Sequence, residues 1–313
     1  MSEPILIAQD LVKYYGDNHA VDGISLQVAR GEVFGLLGPN GAGKTTTISM
    51  LTGLFPPTRG TILVDGIDLA KETNKAKAKI GLVPQDLALY PTLSARQNLR
   101  FWGRIYGLRG KLLHDRVEEM LQMVGLTEKG DKAIDTYSGG MKRRINIAAG
   151  LLHKPDILFL DEPTVGVDPQ SRNAIFEGVE ELNRQGMTVI YTTHYMEEAQ
   201  RLCHRVAIVD LGKLIALDTP TGLIRNLGGG LILVGLGEGQ AEAVAREVAG
   251  LPAVKAVTPV DTQLKIEANQ VQEALMGILD ATGRLDARVT SLEILEPNLE
   301  SVFLHLTGKK LRQ

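Results

Sequence analysis

The chain has 313 residues, of which 44% are hydrophobic and 23% charged, and its formal net charge is −3 at pH 7. This length accommodates one large domain and a small one, and the charge gives no reason to expect a nucleic acid partner. The single cysteine, Cys203, excludes internal disulfides and cysteine-based zinc sites. The N-terminus lacks the features of a signal peptide, and no stretch reaches the roughly 18 apolar residues of a membrane span, so we expect another chain to supply any membrane part.

The first 220 residues alternate short apolar segments with helical patterns. Strands are predicted at residues 5–11, 24–28, 33–37 and 60–64, and the pattern turns helical from about residue 93 to 125. After Pro155 the predicted order is strand 157–160, helix 171–184, strand 188–192, helix 196–202 and strand 206–209. This alternation predicts an α/β fold with a parallel sheet flanked by helices.

A composition break follows at residues 226–230, where three glycines come after a helix-like segment. Beyond it the predicted order is strand 231–234, helix 241–248, strands 254–259 and 263–266, helix 271–279 and strand 288–295. This βαββαβ order predicts a small ferredoxin-like α+β domain. We place the boundary so that residues 1–222 form the large domain and residues 223–313 an accessory C-terminal domain.

The segment GPNGAGKTT, from Gly38 to Thr46, matches the P-loop pattern G-x-x-x-x-G-K-[ST]. Glycines let the backbone wrap around phosphate oxygens, and loop amides and a helix N-terminus then face the anion. The residues expected to bind nucleotide here are Gly38, Asn40, Gly41, Gly43, Lys44, Thr45 and Thr46. Lys44 is expected to reach the β- and γ-phosphates and Thr45 to bind Mg²⁺. The alternative is a glycine-rich turn with an incidental lysine.

Two carboxylates, Asp161 and Glu162, directly follow the apolar segment 157–160. A buried parallel strand delivers the residues after it to the carboxyl edge of the sheet, where ligands bind. Asp161 therefore fits the role of holding Mg²⁺, and Glu162 that of polarising the attacking water. The alternative is an exposed acidic turn at the end of a strand.

A second candidate anion site begins at Ser138, which is a suitable helix cap followed by Gly139 and Gly140. One ATP needs only one P-loop. A second phosphate-binding helix terminus therefore suggests that this element caps the γ-phosphate of ATP held by another chain.

The segment YSGGM at residues 137–141 resembles the signature motif of ABC transporters, and the rest of the first 220 residues resembles the ABC nucleotide-binding domain. The resemblance implies a P-loop ABC ATPase core with an antiparallel β subdomain and a helical subdomain at about residues 86–150. It also implies that Tyr15, rather than Tyr14, stacks on adenine and that Gln85 senses Mg²⁺ and the membrane subunit. Asp168 matches the D-loop, and His194 matches the switch histidine that contacts the γ-phosphate. ATP and Mg²⁺ are the cofactors implied.

Tyr137 and Met141 stand where Leu and Gln are commonest in the signature motif, and this form resembles the drug, antibiotic and lipid exporter branch. The tail at residues 296–308 also resembles that branch, whose subunits carry an extra C-terminal domain. The resemblance implies an ATPase that works with a separate membrane-spanning permease at the cytoplasmic face of the membrane. The intact motifs favour a homodimer. The alternatives are a soluble ABC-type ATPase that acts on a ribosome or DNA, and a small-molecule kinase, which would leave the signature segment and His194 unexplained.

Two further patterns allow a simple structural interpretation. Lys142, Arg143 and Arg144 are expected to form a solvated helix face rather than a nucleic acid patch. Near the C-terminus, an apolar stripe at helical spacing follows Pro297 and the capping residue Asn298, and it consists of Leu299, Val302, Phe303 and Leu306. The stripe is expected to close the core of its own domain, with contact to a partner subunit as the alternative.

Overall fold

The structure is a computed structural model that describes residues 3–227, 229–295 and 298–307. It divides into two compact units between Pro220 and Thr221, two residues before the boundary expected from the sequence. Among these residues, no helix is both long enough and apolar enough to cross a bilayer.

The first unit contains two sheets and a group of helices. Its strands are β1 (Pro4–Tyr15), β2 (Asn18–Ala29), β3 (Val33–Leu37), β4 (Arg59–Val64), β5 (Ile67–Asp68), β6 (Ile80–Val83), β7 (Ile157–Asp161), β8 (Thr188–Thr193), β9 (Arg205–Asp210) and β10 (Lys213–Asp218). Its helices are α1 (Lys44–Leu51), α2 (Thr73–Ala78), α3 (Ala95–Ile105), α4 (Gly110–Met123), α5 (Gly139–Leu151), α6 (Pro169–Arg184) and α7 (Met196–Leu202). The strand-and-helix alternation predicted after Pro155 is confirmed.

The larger sheet has the strand order β10-β9-β3-β8-β7-β6. Strands β9, β3, β8, β7 and β6 run parallel, and β10 is antiparallel to β9. In the register of the sheet, Leu37 lies opposite Thr193 and Asp161 lies opposite Thr192. The segments that leave β3, β7 and β8 therefore emerge side by side at one edge, as expected for a ligand site in an α/β sheet.

The smaller sheet is antiparallel, with the order β2-β1-β4-β5. Apolar side chains from the two sheets and from α1 form one buried cluster, which includes Ile5, Leu26, Val64, Phe34, Ile48, Phe159 and Ile190. Burial of such side chains stabilises by roughly 1.5–3 kcal/mol each relative to exposure. This shared core packs against one face of β3 and β7 and so helps to fix the loops that follow them.

The segment predicted to be helical forms α3 and α4, and α5 packs against both. Helix α3 begins with a capping box, in which the hydroxyl of Ser94 accepts from the amide of Gln97 and the side chain of Gln97 accepts from the amide of Ser94. Arg96 ties α3 to α4 through Glu118, with 2.7 Å between Nε and Oε1. These helices place the start of α5, with Ser138 as its cap, apart from the core of the sheets.

The second unit contains α8 (Pro220–Leu227), β11 (Gly230–Leu236), α9 (Ala241–Val248), β12 (Val254–Val260), β13 (Gln263–Ala268), α10 (Val271–Arg284), β14 (Val289–Leu295) and α11 (Leu299–Thr307). Its sheet has the order β12-β13-β11-β14 with every neighbouring pair antiparallel. Apolar residues of the sheet and of α9 and α10 share one buried cluster, which includes Ile232, Val234, Val244, Leu264, Ile266 and Ile278. The topology is that of a ferredoxin-like α/β sandwich.

Helix α11 carries the predicted apolar stripe near the C-terminus. Asn298 caps it, because its side-chain oxygen accepts from the amide of Ser301 at 2.9 Å. Leu299, Val302 and Phe303 are buried, but the expectation for Leu306 is wrong, since 42% of this residue is exposed in the last turn of the helix. Residues 296, 297 and 308, which belong to the predicted tail, lie outside the described residues.

Candidate nucleotide-binding site

The loop between β3 and α1 has the backbone that the P-loop pattern predicts. A Cβ atom at Gly38 would lie 2.2 Å from the carbonyl oxygen of Val209, which leaves no room for a side chain. Gly43 has φ of +102°, and a Cβ there would lie 2.5 Å from the carbonyl oxygen of Ala20. Both positions therefore require glycine.

The loop borders a cavity of about 730 Å³. Nine of the residues selected from the sequence line it, namely Tyr15, Asn40, Gly41, Gly43, Lys44, Thr45, Thr46, Gln85 and Glu162. The cavity is also lined by residues that no sequence motif indicates, which are Asp17, Asn18, His19, Ala20, Leu211 and Gly212. The volume lies in the range of small-molecule and cofactor sites, so the cavity is the candidate site for a nucleotide.

At one side of the cavity, half of Tyr15 is exposed. Its ring meets Phe55 edge-on at a centroid distance of 6.3 Å. Tyr14 instead packs its ring 4.1 Å from that of His19, and its hydroxyl accepts from Arg59. Of the two tyrosines, Tyr15 lines the cavity and Tyr14 does not.

Lys44 is buried, with 4% of the residue exposed, at the first turn of α1. Its Nζ donates to the carbonyl oxygens of Gly38 at 2.7 Å and Pro39 at 3.1 Å. The same atom lies 3.0 Å from Oε1 of Glu162. An ammonium group is therefore fixed where the phosphate-binding loop meets the end of β7.

Glu162 is the central carboxylate of the site, with 5% of the residue exposed. Its second oxygen, Oε2, lies 3.1 Å from Nδ1 of His194, which follows β8. Its backbone has φ of +44°, a left-handed conformation that is unusual for a residue other than glycine. The amide of Glu162 donates to the hydroxyl of Thr192 at 2.8 Å, which helps to hold this conformation. Such strained residues concentrate at functional sites, and this one sits between Lys44 and His194.

Asp161, at the end of β7, is also buried. Burial raises its pKa, while hydrogen bonds from Thr192 and Thr45 act in the opposite direction. Thr192 donates to Oδ1 of Asp161 at 2.6 Å, so one hydroxyl bridges the two neighbouring carboxylate residues. The hydroxyl of Thr45 and the carboxylate of Asp161 lie side by side, and such hard oxygen ligands suit Mg²⁺.

The signature segment lies elsewhere in the first unit. Ser138 caps α5 by accepting from the amide of Met141 at 3.3 Å. A Cβ at Gly140 would lie 2.0 Å from Oγ of Ser171 and 3.5 Å from Oδ2 of Asp168, so the signature packs against the start of α6. Asp168 caps α6 by accepting from the amide of Ser171 at 2.9 Å. As far as the described residues define it, the cavity lining includes neither the signature nor Asp168.

The expected solvated face on α5 is wrong for Arg143. Only 5% of Arg143 is exposed, and its guanidinium donates to the carbonyl oxygens of Pro84 at 2.9 Å and Gln85 at 2.6 Å. Burial lowers its pKa. Arg144 is half-buried and donates to the carbonyl of Val124. The helix that begins at the signature therefore holds the loop that carries Gln85, a contact that the charge pattern does not reveal.

Comparison with known proteins identifies the family. A profile described as ABC transporter matches residues 21–165. The linearmycin resistance ATP-binding protein LnrL of Bacillus subtilis (strain 168) is 50% identical over 310 residues, covering 98% of this chain and 100% of that protein. The chain belongs to the ABC transporter ATP-binding proteins. The Nod factor export ATP-binding protein I of Paraburkholderia xenovorans (strain LB400) is 38% identical over 313 residues, 100% of both chains.

Solved structures agree with this assignment to the ABC transporter family. One of them, described as the dimeric post-hydrolysis state of an ATP-binding cassette bound to ADP and Pi, has a TM-score of 0.63 and 26% identity. The superposition covers 68% of the present chain and 98% of the chain in that solved structure. The P-loop ABC ATPase fold is therefore confirmed, and the chain is an ATPase that binds ATP.

Proposed function

We propose that this ABC ATPase powers a separate membrane-spanning permease that exports a drug-like or lipid-like molecule. Full-length similarity to a linearmycin resistance protein and to a Nod factor export protein supports export as the direction. The signature variant with Tyr137 and Met141 supports the same branch of the family. The subunit would work at the cytoplasmic face of the membrane through contact with the permease.

The observation that carries the catalytic part of the proposal is the position of Glu162 between Lys44 and His194. Phosphates of ATP in the cavity would lie against the loop amides and Lys44. Glu162 would orient and polarise the attacking water, and His194 would contact the γ-phosphate and fix the carboxylate. Tyr15 would stack on the adenine. This arrangement supplies positioning and electrostatic stabilisation, which dominate phosphoryl transfer.

Thr45, Asp161 and Gln85 are the proposed ligands of Mg²⁺, since the first two already place adjoining oxygens and the third lines the same cavity. When bound, the ion neutralises charge that develops on the phosphate oxygens. Because Gln85 lies in the loop held by Arg143, its side chain is also the proposed link between the nucleotide and the permease contact.

We further propose that the working unit is a homodimer with shared sites. Ser138, Gly139 and Gly140 would present the N-terminus of α5 to the γ-phosphate of ATP bound by the partner subunit, with Asp168 beside them. Support comes from the exposure of Ser138 and Gly139 and from their absence, within the described residues, from the lining of the chain's own cavity.

The proposed transport function is tested by co-expressing the chain with a candidate permease, a membrane-spanning protein whose gene adjoins its own. We expect the two to copurify, and we expect ATPase activity in lipid vesicles to rise when linearmycin or another drug-like or lipid-like compound is added. Glu162→Gln in the same complex is the control, and it should abolish the rise. Copurification with ribosomes or DNA, without a membrane protein, would instead support the soluble ABC-type ATPase.

A further inference from the structure

One buried carboxylate of the first unit, that of Glu198 in α7, has no part in the proposed mechanism of Glu162 and His194, which are called the catalytic pair below. Only 2% of the residue is exposed. Three hydroxyl groups donate to it, from Thr164 to Oε1 at 2.7 Å, from Thr193 to Oε2 at 2.8 Å and from Tyr191 to Oε2 at 3.0 Å. No role in the site described above accounts for this carboxylate.

Glu198 has a long ion pair with Arg172. Nε of Arg172, in the first turn of α6, lies 3.7 Å from Oε1. The guanidinium of Arg172 also sits 5.0 Å from the ring centroid of Tyr195. Burying a carboxylate is costly unless hydrogen bonds replace its hydration, so the three hydroxyls are the main compensation. The buried position of the Glu198 carboxylate is therefore expected to depend on the three hydroxyl groups that donate to it.

Two of those hydroxyls, from Thr164 and Thr193, adjoin the proposed catalytic residues Glu162 and His194, whereas the third, from Tyr191, lies within β8. Thr164 is two residues after Glu162, and its carbonyl accepts from the amide of Val167 within the same turn. Thr193 directly precedes His194, and its hydroxyl also accepts from the amide of Tyr195 at 2.9 Å. One carboxylate therefore fixes both turns relative to each other.

We propose that Glu198 is a positioning residue for ATP hydrolysis, which holds the turns of Glu162 and His194 so that the two side chains meet. It lies behind the turns and acts through them, without contact to ATP. Arg172 extends the connection to the first turn of α6, which Asp168 caps. The inference rests on the proposed roles of Glu162 and His194.

The first test compares Glu198→Ala with a matched buried carboxylate in the same unit. Glu32 is 7% exposed, accepts from the amide of Ala29 and pairs with Arg205, away from the proposed catalytic residues. Glu198→Ala should lower kcat by about 10²-fold, the effect of a displacement of about 1 Å at a reacting group, with KM for ATP changed less than about twofold. Glu32→Ala should lower Tm while leaving kcat within about twofold of wild type. Equal losses of kcat in the two variants would overturn the proposal.

Single-hydroxyl variants keep the test valid if Glu198→Ala does not fold. Thr193→Val and Thr164→Val preserve side-chain shape and each remove one donor to Glu198. Each should lower kcat by about 3- to 10-fold with unchanged ATP affinity, which is about the net contribution of one typical intramolecular hydrogen bond. Glu198→Gln, whose amide oxygen can still accept, should retain more activity than Glu198→Ala. Wild-type kcat in both threonine variants would overturn the proposal.

A double-variant cycle separates this inference from the proposed function. In a Glu162→Gln background the general base is already lost, so adding Glu198→Ala should change the residual rate by less than about twofold. A full additional loss would show that Glu198 acts independently of the pair and would overturn the inference. The single variant Glu162→Gln is measured first. Unchanged hydrolysis in that variant would contradict the proposed role of Glu162 and not the inference about Glu198.

Discussion

The P-loop and the signature segment differ in their burial within one chain. Lys44, Glu162 and Asp161 are buried at the edge of the large sheet. Lys44 forms an ion pair with Glu162 and donates to the carbonyl of Gly38, and Asp161 accepts from Thr192. Ser138 and Gly139 are exposed at the start of α5. One chain thus completes the P-loop and the carboxylates, but it presents its proposed second anion-binding element outward. The contrast supports a site built from two chains.

The largest expected effect comes from a substitution at the buried carboxylate Glu162. Glu162→Gln should lower kcat by about 10²–10⁴-fold, the usual contribution of a general base, because the amide cannot accept a proton. ATP affinity should remain near that of wild type, since Lys44 and the loop amides are unchanged. Steady-state ATPase assays and equilibrium ATP titration measure the two quantities. Near-wild-type turnover in the purified variant would remove Glu162 from the mechanism.

Lys44→Ala should act on binding instead of turnover. The change deletes a buried cation that faces the phosphates, and a hydrogen bond to a charged group contributes about 1.5–3 kcal/mol. We expect ATP affinity to fall about 10- to 100-fold in an equilibrium titration with a fluorescent ATP analogue. Lys142→Ala, on the half-buried surface of α5, is the matched control and should bind normally. Unchanged affinity in Lys44→Ala would contradict the phosphate assignment of the cavity.

A smaller effect is expected at the aromatic side of the cavity. Tyr15→Ala should weaken ATP binding by about 0.5–1.5 kcal/mol, the usual contribution of an aromatic pair. GTP and ATP should be affected alike, because stacking does not depend on base edges. Tyr14→Phe is the control, since Tyr14 is packed on His19 and should not touch the base. If Tyr14→Phe weakened binding as much as Tyr15→Ala, the assignment of the adenine contact would be wrong.

The smallest expected effect concerns the second unit. Truncation after Leu227 should leave ATP affinity intact, because the cavity is lined by residues of the first unit. If the accessory unit helps to hold two subunits together, the truncated protein should dissociate more readily and lose activity mainly at low concentration, by loss of effective concentration. Light scattering and ATPase titration measure both. Identical concentration dependence would favour contact with the permease as the role of this unit.

The site was predictable where local backbone chemistry dictates it. The glycines of the loop, the strand that ends at Asp161 and the cap at Ser138 depend on short segments, so their pattern carries the information. The βαββαβ order of the second unit was predictable for the same reason, because each element shows its own periodicity.

Contacts between distant segments were not predictable from one sequence. Arg143 looks like part of a charged helix face, but tertiary packing buries it against the loop of Gln85. Glu198 looks like one of two ordinary acids in a helix, and only the fold brings three hydroxyls to it. Leu306 fits the helical stripe, yet it lies in the last turn of α11 and is partly exposed to solvent, which periodicity alone does not indicate.

The central claim, a site shared between two chains, is tested most directly by mixing two inactive variants. With ATP held near the wild-type Kd, Lys44→Ala leaves the P-loop nearly empty but keeps the signature, whereas Ser138→Arg blocks the signature with a bulky cation but keeps the P-loop. Random pairing makes half of the dimers mixed, and each mixed dimer has one intact composite site, so the mixture should recover about a quarter of the wild-type ATPase rate. A mixture no more active than the separate variants, under conditions where mixed dimers are detected, would contradict the shared site.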